Sequence, residues 1–385
     1  GIASNPEPTE RGKLLAVKGN ILYMRGDWLG TAEVYQSLMT FLPVGSTGWF
    51  TCAAAVFASG VPELMAPTMQ AILMAPAQPE PSGPYGVAVH MTCTALSGIG
   101  QEALAWSFLE GAEAVEKSAP DPDPVFVLWQ WVSRGELLLW RGELRLALAA
   151  LATACDLADR LGVAAARATA EAYTLIVLVE VGHWARAEAA ASILRGLHGG
   201  WTAFWLTMAR LDAGRPGALD ALRAQLPTAN RNPSLALSIR AKLALALVAQ
   251  NDLDGAMREA DALLQEQPGF MVATEMAFSA LARVALLRNR PDEALAFADR
   301  GLAAQGARLA STVSLLHLLR AEALHARGRT ADAHAAIRQA RDRILDVAAT
   351  LEDPELRESY VTNVAANART LKLAKEWLGP EIAIA

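Results

Sequence analysis

An all-α architecture, a solenoid of about nine antiparallel helix pairs, is the fold class that this 385-residue sequence predicts. Three observations carry it. A turn signal, Gly or Asn with polar neighbours, recurs at positions 26, 60, 98, 142, 182, 214, 251, 289 and 328, at spacings of 34, 38, 44, 40, 32, 37, 38 and 39 residues. A recurrence on this scale marks a repeat array. Between the turns, apolar residues follow helical spacing, as Leu137, Leu138 and Leu139 do before Gly142 and Leu144, Leu148 and Leu151 after it. No run reads as a strand.

Each element follows from these signals in order. Arg25-Gly26-Asp27-Trp28 ends one helix and opens the next, because Gly tolerates the left-handed conformation that closes a helix. Ser59-Gly60-Val61-Pro62 and Ser97-Gly98-Ile99-Gly100 do this for the second and third pairs. Asp121-Pro122-Asp123-Pro124 is a rigid linker to the fourth pair, with a helix starting at Pro124. Arg141-Gly142-Glu143-Leu144, Val181-Gly182-His183-Trp184 and Ala213-Gly214-Arg215-Pro216 turn pairs four to six. Asn takes the same place in Gln250-Asn251-Asp252-Leu253 and Arg288-Asn289-Arg290-Pro291, and Arg327-Gly328-Arg329-Thr330 turns the ninth pair. Asp353-Pro354-Glu355-Leu356-Arg357 then opens a terminal segment that covers the last apolar face. The expected division is a start over 1–9 that is disordered or appended, an array over 10–345 (weakest at 46–95 and 200–230), and capping helices with a tail over 346–385.

These residues resemble a tetratricopeptide repeat (TPR) array. That family places a small residue seven positions before the turn, matched by Gly19, Ala53, Gly135, Ala244, Ala282 and Ala321, and Ala five after it, matched by Ala103, Ala147, Ala187, Ala256, Ala294 and Ala333. Trp28 and Trp184 stand at its aromatic position, and Pro43 and Pro268 at its Pro position. The resemblance implies a right-handed superhelix with a concave binding groove. The closing segment, from Asp353 to Tyr360, Asn367 to Leu371 and Trp377-Leu378-Gly379, looks like that of bacterial multidomain regulators in which a Ser/Thr kinase or STAND-type ATPase module precedes the repeats. The opening Gly-Ile-Ala-Ser-Asn, without Met, is read as the start of a piece of such a protein.

Composition excludes several functions. A net charge of −6 argues against a nucleic-acid partner. Cys52, Cys93 and Cys155 lie far apart, which fits a reducing, cytoplasmic compartment. No phosphate-binding loop, HExxH or GxSxG motif occurs, so the chain is expected to be no enzyme and to need no cofactor. His317 and His325, with His334 across a turn, lack the supporting ligands of a metal site. Ten Arg against six acids between 286 and 345 read as an exposed face with helical ion pairs. Asn20 matches part of the family's clamp for chaperone tails, but Ala16 stands where its Lys is required.

The family register assigns the groove to Asn20, Tyr23, Phe50, Phe57, Tyr85, Thr92, Trp129, Val132, Glu136, Trp201, Phe204, Met208, Arg283, Glu322 and His325. The partner-binding candidates are Asn20, Tyr23, Phe50, Phe57, Tyr85, Trp129, Trp201 and Phe204, since aromatics are frequent interface anchors. Residues 34–101 carry only two charges, Glu63 and Glu80, and five of the ten Met. Proline and glycine interrupt this stretch too often for a membrane span. It is expected to dock a partner protein or N-terminal domains of the same protein. The function expected is a non-catalytic interaction or sensor module binding a peptide or protein; the alternative is a small-molecule sensor regulating an attached ATPase or kinase.

Overall fold

The computed structural model describes residues 8–24, 28–58, 62–75, 81–194, 199–229, 233–266, 271–304 and 309–379. Twenty helices follow one another, and no strand occurs among the described residues. Nine pairs form the array: α1 (Pro8–Met24) with α2 (Trp28–Met39), α3 (Thr47–Ala58) with α4 (Pro62–Leu73), α5 (Gly83–Gly98) with α6 (Glu102–Ser118), and α7 (Pro124–Trp140) with α8 (Leu144–Leu161). Next come α9 (Ala164–Glu180) with α10 (Trp184–Ile193), α11 (Gly199–Asp212) with α12 (Ala218–Ala229), and α13 (Pro233–Ala249) with α14 (Leu253–Glu266). The last pairs are α15 (Met271–Leu287) with α16 (Pro291–Ala303) and α17 (Ala310–Ala326) with α18 (Thr330–Thr350), followed by α19 (Pro354–Thr362) and α20 (Ala365–Leu378).

The turns repeat one piece of backbone chemistry. Gly142 sits at φ 75°; its N–H donates to Leu139 O (2.9 Å), and the N–H of Glu143 reaches back to Leu138 O (3.0 Å). This closure satisfies carbonyls that the helix end leaves orphaned. The same two bonds recur at Gly182, Gly214, Asn251, Asn289 and Gly328. Gly26 and Gly60 lie outside the described residues.

The third turn corrects the sequence reading. Its left-handed residue is Gly100 (φ 82°), and Gly98 is the last residue of α5. Packing explains the shift. Counted from Gly100, the two positions of closest helix approach are Cys93 and Ala105, both fully buried, with the Cys93 thiol 3.5 Å from Ala105 O. Ala103, expected at that contact, is exposed.

At the other close approaches the small residues are indispensable for space. A β-carbon on Gly135 would lie 2.6 Å from the Leu151 side chain. Ala53, Ala147, Ala187, Ala244, Ala256, Ala282, Ala294, Ala321 and Ala333 are all fully buried. The odd-numbered helices from α3 to α17 touch in succession as an inner row, and α20 takes the next place, capping α17 and α18.

The superhelix is wound tightly enough for its last turn to meet its middle. A β-carbon on Gly142 would lie 3.7 Å from the β-carbon of Ala310, at the start of α17. Ile344, Leu351, Leu356 and Tyr360 join the apolar cluster that contains α7 to α9. Polar contacts close the seam: the Ser311 N–H and hydroxyl donate to Glu180 (2.8 and 2.9 Å), Asn363 Nδ2 donates to Gly182 O (3.0 Å), and Arg186 bridges Asp353 and Glu355 (2.6 and 2.8 Å). Leu309, the N-cap residue of α17, supplies no side-chain acceptor, so the Glu180 carboxylate does a cap's work from 131 residues away.

This seam predicts a contrast between two glycines of equal backbone conformation. Gly328 (φ 73°) has nothing within 4 Å of an added β-carbon, whereas at Gly182 (φ 72°) that carbon would meet Asn363 Cβ at 3.0 Å and Ser359 O at 3.2 Å. Gly328→Ala should cost about 1 kcal/mol, the strain of a left-handed alanine alone. Gly182→Ala should cost on the order of 1–3 kcal/mol more, because α19 must also move. Urea unfolding of both variants checks this, and equal midpoints would contradict the seam.

Candidate interaction groove

The inner row carries a polar cluster on α5, α7 and α9 that the aromatic register only partly anticipates. Its centre is Glu136, fully buried on α7. Thr94 Oγ1 donates to its Oε2 (2.7 Å), Trp140 Nε1 donates to its Oε1 (3.2 Å), and the Tyr173 hydroxyl donates as well. His90 Nδ1 lies 3.4 Å from Oε2. The His90 ring stacks on Trp129 (5.3 Å between centroids) and stands edge-on to Tyr173 (5.8 Å). Thr94, Trp140 and Tyr173 are half-buried.

Burial dominates the electrostatics. Loss of water pushes Glu136 up to about 7, against the pull of its Thr94, Trp140 and Tyr173 hydrogen bonds. Glu180 is pushed up to about 7 by the same cause; its bonds from Ser311 oppose the shift, Asp212 adds to it and Lys242 lessens it. Arg134 of α7 and Arg141 just after it do not compensate Glu136. Arg134 pairs with Glu113, Arg141 pairs with Glu102, and both guanidinium groups lie against Trp106.

The candidate residues are distributed as follows. Asn20 and Tyr23 belong to α1, but their side chains lie outside the described residues. Phe50, Tyr85 and Phe126 form a continuous ring contact (4.6 and 5.2 Å) in the core shared by α1 to α7. Phe57 is 5% exposed in that core. Thr92 and Val132 are fully buried and Met208 is buried. Trp201 is half-buried against the buried Phe204 (6.1 Å). Arg283 donates to Glu322 (2.8 Å), and His325 stacks on Trp377 (4.4 Å) with His334 on the same indole (6.4 Å). Among the candidate aromatics whose side chains are described, Trp129 is the one in ring contact with the Glu136 cluster.

The sequence reading assigned Tyr85 and Thr92 to the groove because it counted from Gly98. Counted from Gly100, the positions ten and six before the turn are His90 and Thr94, the two α5 residues of the cluster. Tyr173 stands nine before Gly182, where the register has no groove position, so nothing in the sequence marks it. The Arg-rich stretch is a surface of ion pairs, with Arg288 on Asp254, Arg320 on Asp299 and Arg327 on Asp292. Among the described residues, no three His, Cys, Asp or Glu are gathered as metal ligands, and no helix is long and apolar enough to cross a membrane.

A carboxylate held above its ordinary value disfavours the fold once it ionises. The unfolded group loses its proton near 4.5 and the folded one near 7, so the native state binds the extra proton between them. Stability from each group is therefore full below about 4.5 and is lost as pH rises to 7, by an amount on the order of 3 kcal/mol. Thermal melts from pH 5 to 8 should show a falling midpoint. Glu136→Gln should flatten that slope and narrow or reverse its deficit at pH 8; an unchanged slope would contradict the shift.

No protein-family model matches the chain, and no curated protein matches it in sequence. Among solved structures it is similar to a Rap protein complexed with competence and sporulation factor, with a TM-score of 0.52 and 14% identity over 95% of this chain and 99% of that chain. It is also similar to NprR in complex with its cognate peptide NprX (TM-score 0.43, 13% identity, 88% and 84% covered) and to yeast Tom70 (0.34, 12%, 96% and 86%). The first likeness shows the fold: an all-α superhelix of TPR-like helical repeats.

Proposed function

We propose that this chain is a non-catalytic interaction module that holds a peptide or an extended protein segment along its inner row of helices. The observation that carries this reading is the cluster around Glu136. A buried carboxylate costs stability, so Glu136, with hydrogen bonds from Thr94, Trp140 and Tyr173 and His90 Nδ1 3.4 Å away, is a candidate functional position on the inner row. A solenoid offers the extended concave surface that a chain segment requires. The similar Rap and NprR structures hold, respectively, competence and sporulation factor and a cognate peptide, which agrees with this reading.

The likeness of the closing segment to bacterial regulators supports a place in a larger cytoplasmic signalling protein, next to a kinase or ATPase module. The charge-poor stretch 34–101 is the proposed contact for such a module. Most of it packs as core, and Phe41, Val44, Met74 and Ile99 remain exposed as its apolar anchors. A second reading, a small-molecule sensor, draws on a cleft of about 760 Å³ between the α7–α8 turn and α18, lined by Arg145, Leu146, Arg338 and Val347. That volume suits a small ligand.

Selection from a displayed peptide library, followed by calorimetry, tests the groove. Thr94→Trp would set a bulky ring at the half-buried edge of the cluster, and it should weaken a selected peptide at least tenfold with helical circular dichroism unchanged. Retained affinity in Thr94→Trp would place binding elsewhere, and Leu146→Trp would then test the cleft.

A further inference from the structure

The turn between α11 and α12 departs from the others. It holds five residues between its helices, Ala213 to Gly217, where the turns inside pairs three, four, five, seven, eight and nine hold three. The longer turn has a second left-handed glycine, Gly217 (φ 74°), and a β-carbon added at Gly214 or Gly217 would meet nothing within 4 Å. A cavity of about 400 Å³ opens between this turn and the C-terminal half of α13. That size lies at the lower end of small-ligand sites. The cavity shares no lining residue with the cleft beside α18 and includes no member of the Glu136 cluster.

Its lining joins charge to apolar surface. Lys242, on α13, is 8% exposed, and its ammonium donates to Asp212 at 2.6 Å. An ammonium has three hydrogens, and no other acceptor meets this one among the described residues. Arg215, in the turn, is exposed, and its guanidinium makes no ion pair or hydrogen bond among the described residues. The lining therefore carries two cations and one carboxylate, one positive charge in excess. Leu219, Leu245 and Ala249 complete it with an apolar wall. Glu180 feels the charge of both Asp212 and Lys242, but it takes its hydrogen bonds from Ser311 and lies outside the lining. A buried ammonium with donors to spare gains from an anion that enters beside it, because charge-assisted hydrogen bonds replace the water it has lost.

We infer that this cavity binds a small monoanion, a carboxylate on a short apolar body. Its oxygens are shared between the Lys242 ammonium and the Arg215 guanidinium, and its hydrocarbon lies against Leu219, Leu245 and Ala249. Asp212 keeps the ammonium in place and turns away a ligand of higher negative charge.

Calorimetry and saturation-transfer NMR on the full chain with hexanoate, neutral hexanamide and hexylammonium test this. Hexanoate should bind saturably and at least tenfold more tightly than hexanamide, and hexylammonium should not displace it. Arg215→Gln should weaken hexanoate at least fivefold and leave hexanamide unchanged. Ala249→Trp, which fills the cavity from an exposed position, should abolish binding of both. Equal affinity for hexanoate and hexanamide, displacement by hexylammonium, or hexanoate binding untouched by either variant would overturn the site. So would the lack of saturable hexanoate binding below about 50 mM. Circular dichroism checks that each variant is folded; should one misfold, the other variant and the hexanoate–hexanamide contrast in the unaltered protein decide. None of these outcomes bears on the peptide groove, whose test rests on Thr94.

Discussion

Helix axes in this array must come close enough for side chains larger than Ala, Gly or Cys to be excluded at fixed points. Everything larger depends on that constraint. Where Gly135 faces Leu151, a single β-carbon would lie 2.6 Å from the leucine, so the spacing of α7 and α8 is set by an absence of atoms. The same constraint decided the third turn. Two glycines were available, and the chain uses the one that brings Cys93 and Ala105 into contact. A dense interior leaves no slack for the other register, since lost contacts in a close-packed core are not recovered elsewhere.

Close stacking accumulates into curvature, and curvature brings distant pairs together. The seam between pairs four and five and the last helices is a product of many local spacings, and it changes the environment of groups that an open solenoid would leave wet. Glu180 becomes a buried carboxylate because α17 begins on top of it. Its shift toward neutral pH and its capping of α17 are two sides of one placement: desolvation raises it, and the donated hydrogen bonds hold it back. Around it the seam mixes apolar residues with exposed ion pairs. The apolar part supplies most of the burial, while pairs such as Arg186 with Asp353 and Glu355 contribute little in water and mainly fix orientation.

The two buried carboxylates have different characters. Glu180 is met by the chain itself, through a helix start from the far end of the array. Glu136 is met by side chains of three inner helices, with hydrogen bonds from Thr94, Trp140 and Tyr173 and His90 Nδ1 3.4 Å from its Oε2. The first is explained by architecture. The second links α5, α7 and α9 through side chains, at a desolvation cost that an apolar residue would not carry. That difference is the physical ground for placing the interaction site at Glu136.

The sequence by itself determined the helix pairs. Left-handed turn residues, helical apolar spacing and small residues at fixed offsets are local signals, and they set the class, the number of pairs and most registers. It also pointed to Trp129 and Glu136 through the groove register. Tertiary structure alone decided which glycine ends α5, and with it the presence of His90 and Thr94 in the groove. It decided that Phe50, Phe57 and Tyr85 lie in the core, since an aromatic on an inner helix can face either the groove or its neighbour at the same spacing. It decided the seam, because Glu180 and Ser311 meet only after several pairs of accumulated curvature, and no local pattern records the sum of those small rotations.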